Sequence, residues 1–117
     1  MKYLLAIYND SEIRSAMTDE DLSAISNEYW QYSEELERSG LGRGGEGLEP
    51  VSTATTVRVR EGKTQVMDGP FAETKETLAG FYLIECDTLD QAIDWASRIP
   101  GARSGSIEVR PVMTFDD

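Results

Sequence analysis

The strongest constraint on the fold is a change of period along the chain. Strand-sized apolar runs are separated by two stretches whose apolar residues recur at helical spacing, each opening on a threonine. Residues Lys2 to Tyr8 form a buried strand pattern that ends at the turn-forming Asn9-Asp10-Ser11. Thr18 is a sound N-cap, and Asp19, Glu20 and Asp21 follow where negative charge suits the positive end of a helix. Leu22, Ile25, Tyr29, Tyr32 and Leu36 then fall on one face of a helix of about five turns. Gly40, just after Arg38, stops it. Thr88 caps a second helix that runs to about Ser97, with Leu89, Ala92, Ile93 and Ala96 toward the core and Pro100-Gly101 at its end.

Between the helices lies strand material. Ala54 to Arg60 alternates, with Thr56, Arg58 and Arg60 on one face and Val57 and Val59 on the other. Glu61-Gly62 turns the chain and Lys63 to Met67 returns. Asp68-Gly69-Pro70-Phe71 breaks the ladder, because Gly-Pro does not continue a central strand. Residues 72–79 read as an irregular polar excursion, Gly80 to Cys86 as a second strong strand, and Ser106 to Thr114 as the last. Residues 41–50 hold four glycines. A phosphate-cradling loop needs a strand before it and a helix after it; here a helix precedes and Pro50 follows, so a glycine-bent strand or bulge is expected.

This order predicts one domain over residues 1–117, of the α+β class. Two helices on one face of an antiparallel sheet give a ferredoxin-like arrangement. The other face mixes apolar side chains with Arg58, Glu108 and Arg110, and a single layer leaves it uncovered. Pairing two sheets face to face encloses it, so a homodimer is expected.

Charge and residue usage narrow the chemistry. With 22 acids against 11 bases the net charge is −11, which repels phosphate backbones and anionic membranes. Neither direct nucleic-acid binding nor membrane association is expected. The chain contains no histidine, which removes the commonest neutral-pH base, the Ser-His-Asp triad and every His-based metal site. Cys86, the single cysteine, excludes an internal disulfide framework, and Met1-Lys2 leads into a run too short for a signal-peptide core. A cytoplasmic location is the expectation.

The run Val66-Met67-Asp68-Gly69-Pro70-Phe71-Ala72-Glu73-Thr74-Lys75-Glu76 resembles the DGPF signature of YCII-related proteins. Its flanks are similar too: Met1 to Leu5, Gly44-Gly45, Ala54 to Arg58, Gly80-Phe81-Tyr82, and Ile107 to Val112. The resemblance implies a dimeric α/β-barrel built from ferredoxin-like subunits, with a cleft near the DGPF turn. It places muconolactone isomerase-like and dehydrochlorinase-like enzymes among the wider relatives. It also implies a regulatory setting, since genes of such proteins often lie beside extracytoplasmic-function sigma factors. Shorter YCII proteins are proposed to use a His-Asp pair. Only an aspartate, Asp68, is present here to map onto it, so that mechanism does not carry over.

Asp68 is the candidate catalytic residue. Partly desolvated at the lip of a cleft, its carboxylate would act as a proton-transferring base; alternatively it caps the turn by accepting backbone N–H groups. Arg58 and Arg110 suit a carboxylate or enolate ligand, or else an ion-pair network with Glu108, Glu85 or Asp68. Tyr82 is placed to donate a hydrogen bond in the same pocket, or to serve as core with its hydroxyl at the rim. Glu73 and Lys75 belong to the signature and are candidate substrate contacts. Asp68, Glu73 and Glu76 lack a recognisable metal-ligand spacing, and neither metal nor cofactor is expected. Two functions stay open. One is a small-molecule enzyme or binder taking an anionic or aromatic ligand in a dimer-enclosed cleft. The other is a non-enzymatic regulatory or interaction protein linked to a sigma-factor system.

Overall fold

The computed structural model describes residues 1–115. Its elements run β1 (Lys2–Asp10), α1 (Ser11–Ser15), α2 (Asp19–Ser39), β2 (Gly42–Gly47), β3 (Thr55–Arg60), β4 (Lys63–Asp68), β5 (Glu76–Glu85), α3 (Leu89–Ser97) and β6 (Ser106–Pro111), with short 3-10 turns at Val51–Thr53 and Pro100–Arg103. The main sheet has four strands in the order β2-β5-β1-β6, every neighbouring pair antiparallel. That order is consistent with a ferredoxin-like α+β fold. The β3–β4 hairpin forms a separate two-stranded sheet inserted between β2 and β5.

Local chemistry explains most boundaries. Thr18 accepts from the Asp21 N–H while Asp21 accepts from the Thr18 N–H, a reciprocal cap that starts α2. Thr88 and Gln91 do the same for α3. Gly40, left-handed at φ 77°, ends α2. The two-residue turn of the hairpin places Glu61 and Gly62 both at positive φ, the geometry that matches the twist of paired strands.

Four expectations need correction. The segment after Asn9 is the short helix α1, capped by the Asp10 carboxylate accepting the Glu12 N–H. Strand β5 begins at Glu76, because Glu76 and Thr77 pair with Asp10 and Asn9 despite their polarity. In α3 the core face holds Ala92, Trp95 and Ala96, whereas Leu89 and Ile93 are each 50% exposed. The last strand also ends at Pro111, short of Thr114.

The core joins Tyr3, Leu5 and Ile7 of β1 and Ile84 of β5 to Tyr32 and Leu36 of α2, to Ala92, Trp95 and Ala96 of α3, and to Ile99. Tyr3, Leu5 and Ile7 alternate along β1 and so share one side of the sheet. Tyr32 is the hub. Its ring meets those of Tyr82 and Trp95 edge-on at 4.9 and 5.9 Å, and its hydroxyl donates to the Trp95 carbonyl at 2.9 Å. Each such aromatic pair contributes about 1 kcal/mol beyond its area. No charged or polar residue is buried among the described residues.

A candidate ligand cleft beside helix α2

Between α1, the outer flank of α2 and the β2–β5 edge lies an open cleft of about 500 Å³. Its walls are mainly apolar, with Ile7, Ile13, Met17, Leu22, Ile25 and Leu48 among the lining residues. Trp30, 67% exposed, stands at the mouth. Glycines make room for it. A Cβ on Gly45 would sit 2.6 Å from the Phe81 carbonyl oxygen, so only glycine lets β2 lie this close to β5. Gly101 has the same role opposite α2, where a Cβ would sit 2.6 Å from the Tyr29 hydroxyl.

Polar groups converge on this apolar space. The Tyr29 hydroxyl oxygen accepts the Gly101 N–H at 3.1 Å, which leaves its own proton available. The hydroxyls of Ser33 and Tyr82 lie 2.9 Å apart and share one hydrogen bond. Burial pushes the phenol pKa of Tyr29 and Tyr82 up, with the hydrogen bonds from Gly101 and Ser33 opposing it. Both therefore stay protonated donors. Arg14, half-buried on α1, lines the same cleft. Asp10 does as well, although its carboxylate already accepts the Glu12 N–H.

The residues singled out from sequence are distributed unevenly about this site. Tyr82 lies in the cleft. Lys75 lines an adjoining depression with Asp10, Ile13, Thr74, Glu76 and Ser104. Asp10, Ile13 and Ser104 also line the cleft, so Lys75 stands at its rim. Asp68, Arg58, Arg110 and Glu73 line neither space. Asp68 is exposed at the end of β4, and its carboxylate has no hydrogen-bond partner among the described residues. The DGPF turn is held instead by the Gly69 N–H donating to the Ala54 carbonyl at 2.7 Å and the Thr56 hydroxyl donating to the Gly69 carbonyl at 2.8 Å. Arg58 is on the hairpin sheet and Arg110 on β6 of the main sheet. Arg110 lies 3.9 Å from Glu108, a largely exposed ion pair. Glu73 is exposed in the loop before β5. Among the described residues no group of acids and cysteine is placed to hold a metal ion.

The comparison with known families decides the lineage. The pattern for the YCII-related domain matches residues 1–116. The chain belongs to the YCII-related family. It is also 43% identical to an uncharacterized protein of Rhizobium meliloti (strain 1021), over 98% of this chain and 94% of that one. Within this YCII-related chain, no sequence pattern marks Arg14, Tyr29, Trp30 or Ser33 as a cleft residue. Arg14 sits in a segment without clear period, and Tyr29 reads simply as one member of a core stripe. The available signal was a phenol in that stripe, since a buried Tyr hydroxyl requires a polar partner.

Proposed function

We propose that the protein binds a small, largely apolar ligand in the cleft beside α2, and that its function is exercised on that ligand. The observation that carries this reading is the combination of apolar walls with a few convergent donors in about 500 Å³. Ligand sites for small molecules have that size and make-up. Dimerisation belongs to the same reading. Since α2 and α3 share the core with Tyr3, Leu5 and Ile7, a second copy would cover the other side of the sheet as in a dimeric α/β-barrel. It would also bring partner residues toward Asp68, whose action as a proton-transferring base requires burial that one chain does not supply. The single YCII-related domain is assigned to the cytoplasm, where a free, buried Cys86 stays reduced. No helix among the described residues is long and apolar enough to cross a membrane.

Equilibrium dialysis with 2-naphthamide, a neutral bicyclic probe, tests the reading. Saturable binding is expected, with loss in an Ile25→Trp variant that fills the cleft. Binding unchanged by that variant, or no binding of bicyclic probes at all, would count against it. A second reading, a regulatory or interaction protein beside an extracytoplasmic-function sigma-factor system, draws support from the hairpin. There Val57, Val59 and Val66 share one face and are 60%, 59% and 63% exposed. Co-purification of a sigma-factor partner, lost in Val57→Asp, would favour it.

A further inference from the structure

Resting on the ligand-binding reading, we propose that the cleft takes a carboxylate, an aromatic or alicyclic monocarboxylic acid whose anionic end meets Arg14. The first support is the state of Arg14 itself. Arg43, Arg98, Arg103 and Arg110 each lie within ion-pair distance of an acid, whereas Arg14 has neither an ion pair nor a side-chain hydrogen bond among the described residues. In a chain with 22 acids and 11 bases, carboxylates are the plentiful partner. A half-buried arginine that lines a mainly apolar cleft without pairing to one of them is positioned for an anion from outside.

The hydrogen-bond inventory points the same way. The Tyr29 O–H has its oxygen engaged by Gly101 and its proton unspent. The Ser33–Tyr82 pair spends one hydroxyl proton internally and leaves the other. The acids nearby are partly occupied: Asp10 accepts from Glu12, and Glu76 accepts from the Ser106 hydroxyl. Glu46 lies on the exposed β2 edge. The cleft therefore offers the Arg14 guanidinium and the unspent protons of Tyr29 and of the Ser33–Tyr82 pair beside the partly engaged Asp10 and the exposed Glu46, and the complement of those donors is an acceptor-rich group. One guanidinium suits a single negative charge, and its planar fork matches a carboxylate through two parallel N–H bonds. The apolar walls would then receive the ring system of the acid, with Trp30 at the mouth.

Two probes of equal shape separate charge from shape: 2-naphthoate and 2-naphthamide. The indole N–H resonance of Trp30, identified by its loss in Trp30→Phe, reports binding at the cleft. The wild-type protein should bind the naphthoate about tenfold tighter or better, the usual scale for a charge-assisted contact. Arg14→Gln should erase that preference while weakening 2-naphthamide binding far less than naphthoate binding, and Arg14→Lys should restore part of it. If both probes shift Trp30 with equal affinity and Arg14→Gln alters neither, the carboxylate assignment is overturned while ligand binding in the cleft stands. Equal weakening of both probes by Arg14→Gln also overturns it, since Arg14 would then act through packing. If neither probe moves Trp30, the binding reading falls with it.

Discussion

Tyr29 illustrates how one side chain joins fold and site. Its ring belongs to the apolar face of α2, while its hydroxyl satisfies the N–H of Gly101, 72 residues away. Gly101 is buried, so Tyr29→Phe would leave that N–H without an acceptor. We expect a loss of about 1–3 kcal/mol, read from urea midpoints. Tyr82→Phe should cost less, under about 1 kcal/mol, because Ser33 is half-exposed and can turn to water. Tyrosine burial also sets a pH dependence. Desolvation raises the phenol pKa of Tyr29, Tyr32 and Tyr82 above the ordinary 10.0. Below pH of about 10 the phenols are neutral whether the chain is folded or not, and nothing is lost. Above it the unfolded chain releases protons that the native state retains, so stability falls as pH rises. Urea midpoints from about pH 9 to about pH 11 should decline, and less steeply in Tyr29→Phe. A flat profile would show these phenols to be hydrated. The same residue marks what a linear reading misses. Its place in the stripe at Leu22, Ile25, Tyr29, Tyr32 and Leu36 is visible from spacing, but its partner is set only by tertiary contact.

Elements with their own local chemistry were the most legible. Thr18 and Thr88 announce α2 and α3, and both caps are reciprocal in the structure. Thr18→Ala and Thr88→Ala should each cost about 1 kcal/mol in urea denaturation. Thr→Ser should retain most of the stability, whereas equal losses for Ala and Ser would mean the methyl group matters more than the hydroxyl. Elements defined by neighbours were harder to read. Strand β5 starts at Glu76 because β1 supplies hydrogen-bonding partners there, a fact absent from the polar residues themselves. The orientation of α3 follows Trp95, whose large ring packs against Tyr32 and beneath the Arg98 guanidinium, 3.8 Å from its centroid. That turns Leu89 and Ile93 outward, although spacing alone favours them as core. The glycine-rich stretch is a strand with a bulge between Gly42 and Gly45, as its composition and the absence of a following helix imply. The cleft shares this division: Tyr82 was visible as a polar tip on a strong strand, while Arg14 came into view only because α1 and α2 line one cleft.

At the scale of the whole molecule the shape is thin and broad. The chain measures 49 × 45 × 18 Å, with a radius of gyration of 16.3 Å. A compact domain of this size has a radius of about 13 Å. The register places Leu4 opposite Leu83 and Arg110, and Ala6 opposite Phe81 and Glu108, on the side of the sheet facing away from Tyr3, Leu5 and Ile7. Leu4, Phe81 and Leu83 are only partly buried there. An apolar sheet centre rimmed by charges of both signs suits a two-fold interface. Light scattering after size exclusion should therefore give twice the chain mass at micromolar concentration. Leu83→Glu puts a charge on each side of the interface and should yield a monomer, with helical circular dichroism retained because Leu83 is outside the buried cluster. A wild-type monomer would remove the second copy from the account of Asp68. The cleft beside α2 would remain, because it is assembled from one chain alone.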